Sequence, residues 1–134
     1  MTNTGDSVRQ RVTGIGGAFF RAADPDGLAR WYSEHLGINP MSSESEEAWW
    51  QEEGPTVWAP FQVDTDYFGR RDQQWMINFR VRDLDAMLAQ LREGGVDVDE
   101  EVQLMEGIGR FGWATDPEGN RFELWEPAAE AIRR

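Results

Sequence analysis

The feature that most constrains this chain is an internal repeat. The segment Phe20–Asp26 reads FRAADPD, and the segment Phe79–Asp85, which lies 59 residues later, reads FRVRDLD. A second pair of similar segments, TVWAP at 56–60 and ELWEP at 123–127, is separated by 67 residues. A short duplicated unit usually cannot bury its apolar face alone and packs against its copy. The repeat therefore predicts two modules in one domain, with a site near the seam between them.

Each module is predicted to run as strand, helix and about three strands. In the first module, residues 12–22 form the predicted strand, and Asp24 and Pro25 supply a helix N-cap and a first helical residue. In the second, residues 74–81 form the strand and Asp83 caps the helix. Apolar runs bounded by turn residues predict the remaining strands. They fall at 48–51, 56–61, 96–98, 101–105, 110–114 and 121–126.

The predicted fold class is therefore α+β, with two βαβββ modules in a single domain at 1–134. The first module covers about 12–61, a polar linker covers about 62–73, and the second module covers about 74–127. Alternate residues of a strand point to opposite faces of a sheet. In residues 74–81, the more apolar face carries Trp75, Ile77 and Phe79 and is predicted to pack under the helix.

The other face of the predicted sheet is free to curve around a cleft, with the helices on the outside. In the last strand Phe122 and Leu124 share the helix side, so Glu123 and Trp125 point into the cleft. The predicted cleft residues are polar and aromatic side chains from both modules, together with one methionine. They are Phe19, Arg21, Thr56, Trp58, Met76, Asn78, Arg80, Glu123 and Trp125.

Composition excludes several kinds of chemistry. The sequence has no cysteine and no lysine, so thiolate and Schiff-base catalysis are excluded. The formal net charge of −12 disfavours binding to nucleic acid, and no apolar run approaches membrane-spanning length. We expect a protein of the cytoplasm that binds neither nucleic acid nor a membrane. The acidity indicates either simple solubility or an acidic docking face.

The motifs together resemble one superfamily. The residues that carry the resemblance are ADP at 23–25, WYSEHLG at 31–37, FRVRDLD at 79–85 and DPEGNRFEL at 116–124. Over residues 12–127 the chain resembles the vicinal oxygen chelate superfamily, which includes glyoxalases, bleomycin-resistance proteins and dioxygenases. The resemblance implies two βαβββ modules that form a U-shaped sheet around a cleft. It also implies a homodimer, in some members with modules exchanged between chains.

Enzymes of that superfamily hold a divalent metal on four inward-facing residues. The resemblance places these positions at Gly17, Thr56, Met76 and Glu123. Glycine has no ligand atom, threonine is a weak neutral oxygen, and a thioether is a poor ligand for hard or borderline divalent ions. A catalytic zinc ion needs three protein ligands, and Glu123 is the one good ligand here. We therefore expect no metal and no cofactor at these positions.

Glu123 is the candidate catalytic residue. Burial in a partly apolar cleft raises the pKa of a carboxyl group and suits it to general acid or base catalysis. The alternative is a purely structural carboxylate, paired with Arg80, Arg21 or Asn78. The residues alone leave both interpretations open.

The other cleft residues are candidate ligand contacts. Arg21 and Arg80 can grip an anionic group by paired hydrogen bonds, or they pair with nearby acidic residues. Trp58 and Trp125 occupy matching positions in the two modules and can stack on a planar ligand. The alternative for both tryptophans is ordinary packing, or burial at a dimer interface.

Three functions follow from these alternatives. The first is a metal-free protein that binds a small, partly apolar or planar molecule, as the resemblance to bleomycin-resistance proteins implies. The second is a lyase, isomerase or dioxygenase of the same fold that uses Glu123 as acid, base or metal ligand. The third is a subunit or regulatory domain whose cleft is vestigial.

Overall fold

In a computed structural model, residues 9–39 and 48–133 are described. They contain two α-helices and five strands, and a short 3₁₀ helix lies near the end of the described chain. Residues 41–46, whose serines and glutamates predict a loop, lie outside the described residues. The elements are α1 (Pro25–Leu36), β1 (Asn78–Arg80), α2 (Leu84–Glu93), β2 (Asp97–Val98), β3 (Gln103–Met105), β4 (Gly109–Thr115), β5 (Arg121–Pro127) and the 3₁₀ helix Ala129–Ile132.

The helix ends follow the local sequence signals. The side chain of Asp24 accepts a hydrogen bond from the Gly27 N–H at 3.1 Å, and Pro25 is the first residue of α1. Gly37 ends that helix with φ at 71°, a left-handed conformation that favours glycine. The side chain of Asp83 accepts from the Ala86 N–H at 3.0 Å at the start of α2. Both predicted helices and their caps are confirmed.

The five strands form one mixed, open sheet. The order is β1-β5-β4-β2. Strand β3 also pairs with β4, through residues 109–111, whereas β2 pairs with β4 through residues 114–115. Strand β1 runs parallel to β5, whereas β4 is antiparallel to β5, β2 and β3. The register sets Asn78 opposite Glu123 on one side of β5 and Trp113 opposite Glu123 on the other. Strands β4 and β5 are therefore the two middle strands of the sheet.

Both helices contribute to one hydrophobic core on one face of the sheet. The buried cluster joins α2 to β4 and β5, and it consists of Leu84, Leu88, Leu91, Ala114, Phe122 and Leu124. Helix α1 packs against this cluster through Trp31, Tyr32 and Leu36. The predicted helix-side positions of Phe122 and Leu124 are confirmed. The fold class is α+β, as predicted.

The three strands predicted within residues 12–61 are not formed in the described chain. None of the residues 12–22, 48–51 and 56–61 lies in a strand of the described chain. A strand requires a neighbour that supplies hydrogen-bond partners along its edge. Strand β5 already has β1 and β4 as neighbours, and the described residues supply no backbone partner for 12–22. Large apolar side chains on these segments are consequently exposed, with Phe19 at 99% and Trp58 at 70%.

Strand β1 is shorter than the predicted strand over 74–81. Backbone hydrogen bonds extend its pairing with β5 from the Ile77 carbonyl, which accepts from Glu123 N–H at 2.9 Å, to the Val81 N–H, which donates to Trp125 at 2.8 Å. Trp75 precedes this paired stretch. Its predicted place under the helix is therefore wrong, and its side chain is 73% exposed.

No helix within residues 9–39 and 48–133 has the length and apolar character needed to cross a membrane.

Candidate functional site

The candidate site lies on the face of the sheet away from the helices. We call this the site face and define it by Asn78, Trp113, Glu123 and Trp125. Alternation along β5 points Phe122 into the helix-side core and therefore turns Glu123 to the opposite face. Strand pairing then brings Asn78 and Trp113, from the two neighbouring strands, to either side of the Glu123 carboxylate.

Three neutral donors surround the Glu123 carboxylate in the described part of the chain. The side-chain amide of Asn78 donates to Oε1 at 2.6 Å, and the indole N–H of Trp113 donates to Oε2 at 3.0 Å. The phenol of Tyr67 also donates to Oε2. Glu123 is 7% exposed. A buried carboxylate requires such hydrogen bonds, because losing its hydration without replacement is costly.

Tyr67 lies in residues 62–73, the predicted linker, which contain turns but no helix or strand. Its ring stacks on Phe61 with centroids 5.4 Å apart and an interplanar angle of 16°. It also meets Trp113 edge-on, at 6.2 Å and 89°. The guanidinium of Arg121 donates to the Tyr67 carbonyl at 3.2 Å and ties the linker to the start of β5. The linker thus lays an aromatic ring over the buried carboxylate.

Burial raises the pKa of Tyr67 to about 12, and the hydrogen bond and negative charge of Glu123 act in the same direction. The Trp113 N–H and the Arg121 charge act the opposite way but are weaker. Burial, followed by the hydrogen bond to Asp116, also raises the pKa of Tyr32. At neutral pH both phenols are therefore hydrogen-bond donors.

These shifts predict the alkaline titration of the chain, which contains two tyrosines. In a Tyr32→Phe variant, phenolate absorbance is expected to appear with a midpoint near pH 12 instead of the ordinary 10.0. Because the folded pKa is raised, Tyr67 contributes stability that is complete below pH 10 and is lost as pH rises towards 12. Ultraviolet difference absorbance measures this midpoint. A midpoint near pH 10 would show that Tyr67 is not buried against Glu123 in the folded chain.

Trp125 is on the site face but is covered. It is 4% exposed, and its ring stacks on Phe111 at 6.1 Å with an interplanar angle of 4°. Its indole N–H donates to the Ile108 carbonyl at 3.0 Å. Trp113 is similarly buried, at 5% exposure. The guanidinium carbon of Arg121 lies over its ring, 5.5 Å from the ring centroid. Two buried indole rings therefore lie on the site face, and the ring of Trp113 contacts Glu123.

Arg80 binds the backbone of residues 52–55, which precede the predicted strand at 56–61. Its guanidinium donates to the Pro55 carbonyl at 2.6 Å and to the Glu52 carbonyl at 2.8 Å. Arg80 therefore holds residues 52–55 next to β1. The structure places it beside Asn78 in β1, but the hydrogen bonds of its guanidinium go to this loop.

The remaining predicted site residues lie outside the Glu123 cluster. Trp58 contacts Trp75, with ring centroids 6.0 Å apart, and Met76 is half-buried just before β1. The other members are exposed, and the described chain gives them no contact with the carboxylate. They are Phe19, Arg21 and Thr56.

The sequence did not point to Tyr67 or Trp113 as site residues. Tyr67 lies in a connection that is otherwise polar, and the pair Tyr67-Phe68 was the one signal that this connection packs on something. Trp113 falls in a strand whose alternation, GRFGWAT, mixes small and aromatic residues and gives no clear facing. Both residues are identified by their hydrogen bonds to Glu123.

The donor set does not fit the metal ion of the superfamily enzymes. Glu123 accepts hydrogen bonds from three residues, which use three of the roughly four lone-pair sites of its carboxylate. Within residues 9–39 and 48–133, no three His, Cys, Asp or Glu side chains are grouped so that they could hold an ion. No chemistry through a metal is therefore derived for this site.

The fold defines a class of protein: a mixed, open α+β sheet with both helices on one face. It is consistent with the fold of the vicinal oxygen chelate superfamily. The profile of the glyoxalase-like domain matches residues 17–125, and the chain belongs to this family.

Solved structures support the same fold. The antibiotic-binding protein TnmS3 from a Streptomyces species is 22% identical, with 90% of this chain and 100% of that chain covered and a TM-score of 0.58. A member of the glyoxalase/bleomycin resistance protein/dioxygenase superfamily from Sphaerobacter thermophilus is 20% identical, with 86% and 98% covered and a TM-score of 0.52. At these identities the likeness is one of fold.

A glyoxalase family protein from Enterococcus faecalis aligns over a shorter stretch. It is 23% identical over 38% of this chain, with a TM-score of 0.35, and the match spans 40% of that protein's length. No curated protein is significantly similar to the chain.

Proposed function

We propose that the protein binds a small, partly apolar or planar molecule on the site face, without a metal. The observation that carries this proposal is the Glu123 carboxylate, 7% exposed, held by neutral donors between aromatic rings. Binding sites for small molecules are mostly apolar and contain a few placed polar groups that orient the ligand. The description of TnmS3 as antibiotic-binding supports the same class of function.

The second candidate is an enzyme of the same fold, a lyase, isomerase or dioxygenase with Glu123 as acid or base. The contact between Glu123 and the Tyr67 phenol favours it, because a proton can pass between two such groups. We rank it second, since the carboxylate already accepts from three donors, and these leave little of its hydrogen-bonding capacity for a substrate.

A homodimer is part of the proposal. The exposed apolar side chains of the first module, including Val12 at 91%, Phe19 at 99% and Trp58 at 70%, are more than a soluble monomer normally leaves uncovered. A second copy can cover them and supply strand partners to residues 12–22 and 56–61. The two predicted modules, 12–61 and 74–127, then form the halves of the site between them. Sedimentation equilibrium is expected to give the mass of two chains.

We also place the protein in the cytoplasm as part of the proposal. The sequence has no cysteine, so it makes no use of the disulfides that oxidising compartments permit.

The test combines ligand screening with metal analysis. A panel of small aromatic compounds and hydroxy acids is expected to contain members that raise the melting temperature, since a ligand at 100 times its Kd adds about 2.7 kcal/mol of stability. The same shifts are expected in EDTA. As a control, Glu106→Ala removes an exposed carboxylate and should leave these shifts unchanged.

Two outcomes would change this ranking. Tightly held Zn, Ni, Mn or Fe at one ion per chain would contradict metal-free binding. Turnover that is lost in Glu123→Gln would favour the enzyme. If no compound shifts the melting temperature, the third alternative, a subunit or regulatory domain with a vestigial cleft, gains support.

A further inference from the structure

The site face is already occupied by a side chain of the same polypeptide. Tyr67 makes the contacts expected of a bound aromatic molecule: its ring stacks on Phe61, meets the edge of Trp113, and its hydroxyl donates to Glu123. An aromatic ring with one hydroxyl is thus complementary to this surface. The geometry of an internal occupant indicates which external molecule would fit in its place.

The two sides of this contact differ in how firmly they are held. Glu123 and Trp113 lie in the two middle strands of the sheet and are 7% and 5% exposed. Tyr67 lies in a linker built of turns between 62 and 73, without helix or strand, and is half-buried. Segments with few buried contacts open at lower free energy than core strands. The receptor surface is therefore preformed, whereas its occupant is on the less stable element.

The linker is tied to the sheet at points away from the Tyr67 ring. The side chain of Gln73 donates to the Arg121 carbonyl at 2.8 Å and accepts from the Arg121 N–H at 2.9 Å. Arg70 donates to the Glu118 carbonyl at 3.1 Å. These bonds anchor the end of the linker next to β5, so the ring can leave the site while the linker stays attached.

The electrostatics of the site distinguish among aromatic ligands. Glu123 is an acceptor whose donors in the described chain are all neutral, and the chain as a whole carries a net charge of −12. An aromatic carboxylate or phenolate would bring a second negative charge next to a buried one. A neutral hydroxyl group replaces the Tyr67 hydrogen bond without that repulsion.

We propose that the site binds a planar aromatic molecule through a neutral phenolic hydroxyl, which donates to Glu123 after displacing the Tyr67 side chain. This inference rests on the proposed small-molecule function and names the ligand class of that same site. Tyr67 then acts as an internal competitor, so that removing its ring strengthens binding and removing its hydroxyl alone has a smaller effect.

The test is equilibrium dialysis of four probes against wild type, Tyr67→Ala and Tyr67→Phe. The probes are 2-naphthol, naphthalene, 2-naphthoate and 2-(aminomethyl)naphthalene. We expect Tyr67→Ala to bind 2-naphthol at least tenfold more tightly than wild type does. It should also prefer 2-naphthol to naphthalene by roughly tenfold or more, the range of a hydrogen bond to a charged group. The naphthoate should bind most weakly.

The matched control is Tyr32→Phe. Tyr32 is the other tyrosine of the chain, and its hydroxyl donates to Asp116 on the helix side of the sheet. This variant is expected to keep wild-type affinities for all four probes. Tyr67→Phe keeps the ring and is expected to fall between wild type and Tyr67→Ala. It also keeps the test decisive if the alanine variant does not fold.

Several results would overturn the inference. If naphthalene and 2-naphthol bind both Tyr67 variants with equal affinity, the phenolic hydroxyl is not recognised. The proposed binding of planar molecules would then still stand. The inference would also be overturned if both variants bound 2-naphthol with wild-type affinity. It would be overturned as well if the ammonium probe bound more tightly than 2-naphthol. If no probe binds any of the proteins, the inference and the proposed function on which it rests both fail.

Discussion

Replacement of Leu124 by alanine is expected to lower the free energy of unfolding by about 2–5 kcal/mol. Leu124 is fully buried in β5, between β1 and β4, and belongs to the cluster that includes Leu84 and Leu88 of α2. Truncation removes apolar contacts and leaves a cavity that the paired strands cannot close by moving. Urea denaturation followed by circular dichroism measures the change.

The matched control is Leu104→Ala in β3. Leu104 is 72% exposed, so the same truncation there should change the free energy of unfolding by no more than about 0.5 kcal/mol. If the two variants lost equal stability, the core would not lie between the helices and β5. Oligomeric state should be held constant, because association adds its own concentration-dependent stability.

The second large effect is expected for Glu123→Ala. The variant removes the acceptor of the half-buried Tyr67 hydroxyl and of the Asn78 amide. It leaves the indole N–H of Trp113, a residue 5% exposed, with the Tyr67 hydroxyl 3.2 Å away as its remaining acceptor in the described chain. An unsatisfied buried donor costs about 1–3 kcal/mol. We expect a loss of stability in that range, measured by urea denaturation, together with loss of the preference for phenolic over plain aromatic probes.

Glu106→Ala is the control for this substitution, because it removes an exposed carboxylate from the turn between β3 and β4. Its stability should stay within about 0.5 kcal/mol of wild type. Should Glu123→Ala be equally harmless, the three donors would have found other partners. Glu123 would then not be the organising group of the site.

Signals carried within a few residues were sufficient for the helices and for the succession of helix and strands along residues 74–127. Asp24 and Asp83 cap the helices through their own side chains, and Gly37 ends α1 in a conformation that disfavours other residues. The turn at 116–120 depends on Asp116, whose carboxylate accepts from the Glu118 and Asn120 N–H groups at 2.8 and 3.0 Å. Each of these interactions connects residues close in sequence, so a local pattern identifies it.

Predictions that required a distant partner were less complete. The alternation over 74–81 is that of a strand, yet Trp75 lies before the paired stretch because β5 offers partners only from Ile77 onward. The strand patterns at 12–22 and 56–61 likewise indicate extended backbone, but pairing depends on a neighbour that the described chain does not provide. A strand pattern therefore specifies the alternation of faces and leaves the partner open.

The candidate site shows the same division. Alternation along the last strand correctly separated Glu123 from Phe122 and Leu124, and Asn78 was one of the partners considered for the carboxylate. The part played by Tyr67 could not be inferred, because its contact with Glu123 joins residues 56 positions apart through a turn-rich linker. Nothing in a polar linker specifies where one of its rings comes to lie.

The sequence by itself determined the helices with their caps, the α+β class and the opposite facing of neighbouring residues in β5. These depend on backbone geometry and on interactions between residues close in the chain. Only the tertiary structure decided that the Glu123 carboxylate is enclosed by Asn78, Trp113 and Tyr67. Those contacts arise from strand register and from the path of a linker, and both depend on the packing of the whole sheet.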